Sequence, residues 1–452
     1  MAKKILVIGG GVSGLTAAYR LKKRGFEVRV LDLAARVGGV IDTVSENGFR
    51  AETGSNSVMV QSQRTLDLVE ELGLRGSMLL ASTQSKKRFF VKNGKICEVP
   101  MNPLKMVFSP LFSLAGKFRF LGDLRRAKFS AGADPSIDEF TEHRLGREAL
   151  DYGMNPFMAG VYGGDTAQLS ARWAFPAFWN LDQKYGSIIR GAMKSMKEKK
   201  ASGNFFKPMI ISFRDGLVEL VDALAANLKS EISTSAHIAS IDYDMGSWRV
   251  CWTCDGGEEC DEFDRIIFAV PSNKLTELPL PGSLAVMMEP LKRIEYSPVM
   301  TLTFGFRRAD VKHALDGFGA LIPEKETKYR ILGALFLSSM FEDRAPADCV
   351  TITCYLGGKR HPELLKMSDT DIDEIALNDL RELLGVNGKP LFRRAFRWPH
   401  AIAQYNVGYG EFLEAMGDVE REFPTLNLLG SYRGGVGVSS CIENALALAD
   451  EI

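Results

Sequence analysis

The sequence carries no net charge. Lys plus Arg and Asp plus Glu number 56 each among 452 residues, so the two signs cancel. A general polyanion binder needs a basic excess, so we expect no nucleic-acid partner. Apolar residues make up 46% of the chain, which is enough to build an extensive core and excludes a mainly disordered chain. The length favours about three domains.

Long apolar runs are also missing from the sequence. No window approaches the roughly 18 to 20 uninterrupted apolar residues of a membrane-spanning helix. The first eleven residues run directly into a strand and a glycine loop, so we predict no signal peptide. We expect a cytoplasmic protein, with peripheral attachment to the cytoplasmic face of the cell membrane as an open alternative.

The cysteines do not form a recognisable framework. They are odd in number and scattered, so we predict no disulfide framework and a reducing compartment. Cys251, Cys254 and Cys260 suggest a metal site, but no fourth ligand lies nearby in the sequence, so we predict no metal. The seven positions are Cys97, Cys251, Cys254, Cys260, Cys349, Cys354 and Cys441.

The chain begins with the pattern of a βαβ unit that binds a dinucleotide. A buried strand over 5–8 precedes Gly9-x-Gly11-x-x-Gly14, and an amphipathic helix follows. The glycines allow a tight turn and close approach of a pyrophosphate, and the N–H groups of Val12, Ser13 and Gly14 open the helix. Asp32 ends the second strand, where an acid can bond a ribose hydroxyl.

Two further segments distinguish a flavin site from a nicotinamide site. Arg36-Val37-Gly38-Gly39 resembles the FAD-binding amine oxidase superfamily, in which this stretch wraps the dinucleotide phosphates. The segment around Gly54, Ser55, Asn56 and Ser57 fits the same pattern. The chain holds one glycine fingerprint, so the resemblance implies a flavin that is reoxidised by something other than bound NAD(P)H.

The same resemblance implies the remaining flavin contacts. Ile238 takes the place of the apolar residue presented to the adenine, and Trp398 is a further candidate contact. Val436, Gly437 and Val438 precede the last helix, whose N-terminus would stabilise negative charge on the reduced flavin. Cys441 does not lie in the pattern that tethers flavin covalently, so noncovalent FAD is expected.

A more specific resemblance is to the protoporphyrinogen oxidase family. It is carried by residues 155–165 (NPFMAGVYGGD), Arg397-Trp398-Pro399, residues 403–408 (AQYNVG) and the C-terminal GVGV. The resemblance implies oxidation of protoporphyrinogen IX to protoporphyrin IX. Six electrons would leave through one FAD, with oxygen as acceptor and hydrogen peroxide as product. Coproporphyrinogen III oxidation to coproporphyrin III is the alternative within the family.

Residues 84–99 predict a hairpin with its turn at Asn93-Gly94, and Arg88 in this segment is the candidate substrate contact. By resemblance it would pair with a propionate of the porphyrinogen, whereas the alternative interpretation is a solvated basic turn after Lys86 and Lys87. Relatives that use coproporphyrinogen often lack this arginine, so Arg88 favours protoporphyrinogen IX. No residue stands out as an obligatory catalytic base, and we predict a structural role for His400.

The stretch from 81 to 130 is strongly basic, with 11 Lys or Arg and two acids. Within it, the bulky apolar residues of 101–130 predict an amphipathic surface that enters an anionic leaflet. The alternative is a helical pair packed into the protein with a solvated basic face. The cations expected over the headgroups are Lys105, Lys117, Arg119, Arg125, Arg126 and Lys128.

Together these patterns predict an α/β fold, α+β overall. A Rossmann-like FAD-binding domain is expected over 1–80, 205–285 and 415–452, and a mixed-sheet substrate domain over 81–98 and 286–414. A helical domain that is a candidate for membrane binding would span 99–204. A homodimer and docking of ferrochelatase stay open. The competing functions are a flavin amine oxidase, a carotenoid desaturase and a nucleotide-binding regulatory module without turnover.

Overall fold

The structure is a computed structural model that describes residues 3–100, 108–201, 206–254 and 256–452. Its strands are β1 (Lys4–Ile8), β2 (Glu27–Leu31), β3 (Thr43–Glu46), β4 (Phe49–Glu52), β5 (Val58–Val60), β6 (Met78–Leu80), β7 (Phe89–Lys92), β8 (Lys95–Glu98), β9 (Met209–Phe213), β10 (Ile232–Ser233), β11 (His237–Asp244), β12 (Ser247–Cys254), β13 (Gly257–Phe263), β14 (Arg265–Phe268), β15 (Tyr296–Arg307), β16 (Gly319–Leu321), β17 (Gly333–Leu335), β18 (Cys349–Gly357), β19 (Phe392–Ala403) and β20 (Leu426–Leu428).

Helices account for much of the remaining described chain. They are α1 (Val12–Lys23), α2 (Gln63–Glu71), α3 (Leu114–Leu121), α4 (Ile137–Arg144), α5 (Arg147–Ala149), α6 (Asn155–Tyr162), α7 (Pro176–Tyr185), α8 (Ile188–Ala201), α9 (Val218–Asn227), α10 (Ser272–Leu275), α11 (Gly282–Met288), α12 (Leu337–Met340), α13 (Asp369–Leu384), α14 (Gly410–Glu422) and α15 (Val438–Glu451). Short 3₁₀ turns and a π-helical turn at Leu150–Met154 connect several of them.

A five-stranded parallel sheet forms the first layer, in the order β10-β2-β1-β14-β20. The apolar run of β1 is buried on both faces: Ile5 and Val7 enter one core, and Leu6 and Ile8 enter another. Continuous apolar strands of this kind are typical of parallel sheets that are covered on both sides. The predicted βαβ unit and the C-terminal strand, glycine turn and helix are therefore confirmed, as is the α/β fold class.

A seven-stranded mixed sheet forms the second layer, in the order β19-β15-β18-β17-β16-β7-β8. Helix α13 covers one of its faces with a stripe of buried residues at helical spacing, namely Ile372, Ala376, Leu380 and Leu384. The predicted hairpin is formed by β7 and β8, and its turn places Asn93 and Gly94 at φ values of 52° and 71°. Positive φ at both positions is what a two-residue hairpin turn requires.

The helical region is held together by a buried cluster of charges. The Arg144 guanidinium lies 3.3 Å from a carboxylate oxygen of Asp123 and also pairs with Asp182, and none of the three side chains is exposed. Asp123 additionally accepts hydrogen bonds from the Ser187 hydroxyl (2.5 Å) and the Ile189 N–H (2.9 Å) at the start of α8. One ion cluster thus connects α4, α7, α8 and the turn after α3.

Glu52 is a second buried charge, at the end of β4. Its carboxylate accepts hydrogen bonds from the Thr43 hydroxyl (2.7 Å) and from the Leu217 N–H (3.1 Å) just before α9. Burial raises the pKa of Glu52 to about 7, against the lowering effect of the Thr43 hydrogen bond and the nearby Arg344 charge. The carboxyl group therefore titrates near neutral pH.

The sequence predicts no disulfide framework, but it does not reveal that one pair of cysteines is bonded. Cys251 on β12 and Cys260 on β13 are directly opposite each other and are joined by a disulfide, with a Cα–Cα distance of 4.1 Å. Cys254 does not join this pair, because it lies on the opposite face of β12, where its thiol is 3.6 Å from Glu259. The pair joins neighbouring strands and does not link distant parts of the chain.

A helix that crosses a membrane needs about 20 predominantly apolar residues. Within the described ranges, no helix is both long enough and apolar enough to span a bilayer.

Replacing Arg144 should destabilise the fold severely. Arg144→Leu leaves two buried carboxylates without their cation, which costs about 3–5 kcal/mol in the free energy of unfolding. Urea denaturation followed by circular dichroism would measure the change. Arg421→Leu is the control, because that exposed residue pairs with Asp418 at the surface and should cost less than about 1 kcal/mol. Equal effects of the two substitutions would contradict the role of the buried cluster.

Glu52 should make stability fall as the pH rises. Its folded pKa lies above the ordinary 4.5, so the folded protein holds an extra proton between pH 4.5 and about 7. The free energy of unfolding should lose roughly 1.4 kcal/mol per unit across that interval, or about 3 kcal/mol in all. Glu52→Gln should remove this part of the pH dependence, measured by urea denaturation between pH 5 and 8.

A matched control for Glu52 is Glu46→Gln. Glu46 is an exposed carboxylate on the neighbouring strand and pairs with Arg394 at the surface. Its replacement should leave the slope of stability against pH unchanged. If the free energy of unfolding of Glu52→Gln falls with pH as steeply as that of the unmodified protein, Glu52 is not the source of the pH dependence.

Candidate active site

The glycine loop after β1 brings α1 very close to the sheet. A Cβ atom on Gly14 would lie 1.9 Å from the Gly9 carbonyl oxygen, so no other residue fits there. A Cβ atom on Gly11 would meet nothing within 4 Å, which leaves open space in front of the helix. Helix α1 starts at Val12 without a side-chain cap, so the N–H groups of its first turn, including that of Ser13, remain available to an anion.

A second uncapped helix begins beside the first. Helix α15 starts at Val438 after Gly437 and also lacks a side-chain cap. Helices α1 and α15 pack against each other, and the Ser13 hydroxyl lies near the Cys441 thiol in their first turns. Burial raises the pKa of Cys441, so its thiol stays neutral. Val436, Gly437 and Val438 therefore lie near the glycine loop, as predicted.

Asp32 orders the glycine loop from the end of β2. Its carboxylate accepts hydrogen bonds from the Gly10 N–H (2.6 Å) and the Ala34 N–H (2.8 Å). The Ala236 N–H donates to the Asp32 carbonyl at 2.9 Å, so β11 starts next to this acid. Ile238 is half-buried two residues further on. The structure thus brings the predicted ribose and adenine contacts to one place.

The Arg36 loop lies beside the same glycines. The Gly38 N–H donates to the Gly10 carbonyl at 2.7 Å, and Gly39 follows in the left-handed region with φ +59°. The Arg36 guanidinium is exposed, donates to carbonyl oxygens of its own loop and lies 3.1 Å from Asp42. An exposed guanidinium can exchange such loop contacts for a contact with a phosphate.

Thr53 connects the parallel sheet layer to the seven-stranded sheet. Its carbonyl oxygen accepts hydrogen bonds from the Trp398 indole N–H (2.7 Å) and the Thr301 hydroxyl (3.1 Å). Its own hydroxyl donates to the Val40 carbonyl at 2.8 Å, next to the Arg36 loop. A Cβ atom on Gly54 would lie 2.6 Å from the same carbonyl oxygen. The Trp398 indole therefore holds the backbone of the predicted flavin segment in place.

Asn56 holds the next part of that segment on β18. Its side-chain amide donates to the Tyr355 hydroxyl, and burial raises the pKa of Tyr355 to about 12, so the phenol stays protonated. Asn56 itself is only 4% exposed, and its side-chain oxygen accepts no hydrogen bond. A buried acceptor of this kind is satisfied when a bound molecule supplies a donor. Ser55 and Ser57 are half-buried on either side.

One face of the seven-stranded sheet runs from this segment to Arg88. Alternation along the paired strands places a common set of side chains on the face opposite α13. The polar end lies under Thr53 and Asn56 and includes the hydrogen-bonded Thr303 and Thr353, and the side chains toward β7 are apolar. In order across the sheet the set is Trp398, Thr301, Tyr355, Leu335, Leu321 and Phe90.

Arg88 precedes β7 on this face and is half-buried. Its guanidinium lies 4.1 Å from the centre of the Phe318 ring and donates to the Ser85 carbonyl at 2.7 Å. Burial lowers the pKa of Arg88. The three strand spacings from β18 to β7 amount to roughly 14 Å, at about 4.8 Å each. Arg88 is therefore separate from the flavin segment and stands at the far end of the apolar face.

Several contributing residues were not found from the sequence. Thr301 and Tyr355 lie on strands with no motif, and the partners they hold are distant in the chain. Tyr432, the aromatic residue of the C-terminal glycine turn, is fully buried in the core. His400 is exposed on β19 beside Tyr296 and is not drawn into the described site.

These residues fit FAD. Two adjacent uncapped helix starts suit the phosphates and the electron-rich end of the ring system, and the open space before Gly11 leaves room for them. The half-buried Asp32 and Ile238 suit the adenosine end. Asn56, whose side-chain oxygen is unsatisfied, is held on the sheet side of the segment by the bond of its nitrogen to Tyr355.

Comparison with known proteins supports the same assignment. The family of flavin containing amine oxidoreductases matches residues 12–452. Among solved structures, an Exiguobacterium sp. 255-15 protein provisionally named as a protoporphyrinogen oxidase has a TM-score of 0.81 at 22% identity, covering 100% of this chain and 98% of its own. Reduced UDP-galactopyranose mutase has a TM-score of 0.75 at 15% identity, with coverage of 100% and 95%. At these identities the two structures establish the fold.

Several sequence relatives match this chain over nearly its whole length. Protoporphyrinogen oxidase 2 of Arabidopsis thaliana is 34% identical, covering 99% of this chain and 93% of the relative. Mitochondrial protoporphyrinogen oxidase of Nicotiana tabacum is 32% identical, with coverage of 99% and 94%. Coproporphyrinogen III oxidase of Bacillus subtilis is 26% identical, with coverage of 99% and 97%. The chain belongs to the flavin containing amine oxidoreductases and, within them, to the protoporphyrinogen oxidase family, and it is an FAD-dependent oxidoreductase.

Proposed function

We propose that this protein oxidises protoporphyrinogen IX to protoporphyrin IX, with oxygen as the electron acceptor and hydrogen peroxide as the product. Three two-electron steps remove six electrons and six hydrogens, and each step converts one oxygen molecule to peroxide. Bound FAD supplies the two-electron chemistry of each step. The protein's own task is to hold a large apolar macrocycle against the flavin segment and to keep water out.

The observation that carries the proposal is the apolar face between the flavin segment and Arg88. Leu335, Leu321 and Phe90 form the apolar floor at the centre of this face, where Phe90 is packed against Leu111 and Phe112. Gly160 on α6 faces the same floor, since a Cβ atom there would lie 2.9 Å from Leu321. A flat macrocycle with acidic side chains fits a floor that is apolar at the centre and cationic at one end.

The ends of that floor suit different parts of a porphyrinogen. The unsatisfied oxygen of Asn56 can accept a hydrogen bond from a pyrrole N–H near the flavin segment. Arg88, roughly 14 Å across the sheet, can pair with a propionate, because that carboxylate is at the edge of the macrocycle. No side chain has to act as a base in this arrangement.

Coproporphyrinogen III is the second candidate substrate. Two bacterial relatives that carry the name coproporphyrinogen III oxidase match this chain at 26% and 25% identity, against 34% for the plant protoporphyrinogen oxidase. Arg88 already donates to carbonyl oxygens of Ser85, Lys86 and Lys87, so part of its hydrogen-bonding capacity is used locally. The choice between the two substrates is therefore made by measurement.

Purified protein loaded with FAD should produce fluorescent porphyrin faster from protoporphyrinogen IX than from coproporphyrinogen III, after autoxidation is subtracted. Arg88→Ala should raise KM about tenfold with a smaller change in kcat, because a charged hydrogen bond to the substrate is lost. Initial rates over a range of substrate concentrations, with peroxide measured in parallel, test both statements.

Lys86→Ala is the control for Arg88, since it removes a neighbouring exposed cation. Its KM should match that of the unmodified protein. An unchanged KM in Arg88→Ala would remove the proposed propionate contact and keep the reaction. A preference for coproporphyrinogen would move the substrate assignment, and no turnover of either porphyrinogen by FAD-loaded protein would overturn the proposed function.

We also propose that α3 attaches the protein to an anionic membrane surface. Leu114, Phe118 and Leu121 share one face of α3, and Leu114 and Phe118 are 72% and 74% exposed. The neighbouring α8 adds the exposed Met193 and Met196. Each side chain of this size gains roughly 1.5–3 kcal/mol when it is removed from water. An apolar product would also be released next to the bilayer.

The cations of this region are used differently from the prediction. Arg119, Arg126 and Lys128 donate to backbone carbonyl oxygens of the helical region, so they hold α3 to the protein. Lys105 lies outside the described residues. The proposed attachment therefore depends more on the apolar face of α3 than on a row of headgroup contacts.

The protein should float with anionic vesicles at low salt. A triple variant, Leu114→Asn, Phe118→Ser and Leu121→Asn, should lose most of this binding because the apolar face is gone. Val286→Asn is the control, as Val286 is 74% exposed on α11 and outside the patch. Recovery of the unmodified protein wholly in the unbound fraction at low salt would refute membrane attachment.

The three-domain division and the other partners remain proposals. The boundaries 1–80, 205–285 and 415–452 for the FAD domain, 81–98 and 286–414 for the substrate domain and 99–204 for the helical domain are the ones we propose. Noncovalent attachment of the FAD, a homodimer and docking of ferrochelatase to receive the product are proposed on the family resemblance alone.

A further inference from the structure

The motif at residues 403–408 has no place in the site described so far. Its central residue, Tyr405, is buried and 4% exposed, and it belongs to a core of packed aromatic rings. Its backbone is tied to the helical region, since the Ser170 N–H donates to the Tyr405 carbonyl at 2.8 Å. The side chain, however, reaches the C-terminal glycine turn that precedes α15.

The Tyr405 hydroxyl makes two hydrogen bonds to that turn. It donates to the Ser431 carbonyl at 2.9 Å and accepts from the Gly435 N–H at 3.0 Å. One oxygen atom therefore joins the two ends of the segment 431–435. Burial raises the pKa of Tyr405, so the hydroxyl keeps the proton that it donates.

The glycine turn needs such a constraint. Gly434 and Gly435 have φ values of +79° and +119°, which glycine adopts freely but which leave the chain with many alternatives. Gly437 is the residue before α15, so three of the four residues from 434 to 437 are glycines. A flexible turn directly before a helix would leave the direction of its first N–H groups undefined.

Other side chains hold the turn at neighbouring points. The Tyr409 hydroxyl donates to the Tyr432 carbonyl at 2.6 Å, and Arg433 forms two hydrogen bonds to Glu420 at 2.6 and 2.8 Å. These contacts hold Tyr432 and Arg433, which precede the glycines in the chain. The bond from Gly435 to Tyr405 reaches into the glycine run itself, which distinguishes Tyr405 from its neighbours.

We propose that Tyr405 is a positioning residue for the flavin: its hydroxyl fixes the glycine turn so that the start of α15 faces the bound ring system. The inference rests on the proposed flavin contact of residues 436–438 and is independent of which substrate is oxidised. Uncapped N–H groups at a helix start favour the negative charge of reduced FAD over the neutral oxidised form. Loss of the constraint therefore weakens binding of reduced FAD more than binding of oxidised FAD.

Tyr405→Phe tests the inference, because it keeps the ring and removes both hydrogen bonds. The ratio of the dissociation constants for reduced and oxidised FAD should rise about tenfold. For a two-electron couple this corresponds to a midpoint potential about 30 mV lower. Spectroelectrochemical titration of the bound flavin and FAD titration of the apoprotein measure the two quantities without any porphyrinogen.

Tyr162→Phe is the matched control. Tyr162 is a buried tyrosine whose ring centre is 6.0 Å from that of Tyr405, but its hydroxyl donates to the Ala174 carbonyl, away from the turn. Its potential should equal that of the unmodified protein. Equal potentials in Tyr405→Phe and the unmodified protein, or equal shifts in the two variants, would overturn the inference.

Amide hydrogen exchange provides a second measurement that does not require FAD to stay bound. In the unmodified apoprotein, the peptide containing residues 430–437 should exchange slowly, because the Gly435 N–H is bonded to a buried hydroxyl. In Tyr405→Phe that peptide should exchange at least tenfold faster, whereas in Tyr162→Phe it should not change. Rapid exchange in the unmodified protein would also overturn the inference.

Discussion

The arrangement of the site depends on the carbonyl group of Thr53. Two donors from different strands of the seven-stranded sheet, Trp398 and Thr301, meet on that single oxygen, while the Thr53 hydroxyl is bonded to Val40 beside the Arg36 loop. A carbonyl oxygen has two lone pairs, and both are used here. The start of the flavin segment is therefore anchored on the seven-stranded sheet by the Thr53 carbonyl and beside the Arg36 loop by the Thr53 hydroxyl.

The segment that follows Thr53 then lies across the sheet. Asn56 donates a hydrogen bond to Tyr355 on β18, which lies next to β15. Between Thr53 and Asn56 the chain therefore passes over β19, β15 and β18 within four residues. Beyond β18 the same face becomes apolar and ends at Arg88. The polar and apolar parts of the proposed substrate site are therefore consecutive positions on one sheet face, because alternation along paired strands brings these side chains to the same side.

The flavin side is built from backbone groups whose geometry is held by side chains from elsewhere. Glycines leave room at Gly11 and allow close contact at Gly14, but they do not order a loop by themselves. Asp32 orders the first loop and Tyr405 orders the turn before α15. In both places a hydrogen bond from a glycine N–H to a buried or half-buried side-chain oxygen restricts a backbone that would otherwise be flexible.

Local patterns in the sequence were sufficient to predict the βαβ unit, the hairpin at Asn93-Gly94 and the last helix after its glycine turn, since each depends on residues close together in the chain. The disulfide between Cys251 and Cys260 was missed because it depends on strand register, which spacing alone does not reveal. The sequence by itself determined the fold class, the flavin fingerprint and the family. Only the tertiary structure decided which face of the large sheet meets the flavin segment, that Trp398 braces Thr53, and that Tyr405 reaches the glycine turn. These contacts join residues up to hundreds of positions apart, and they exist only once both sheets are packed.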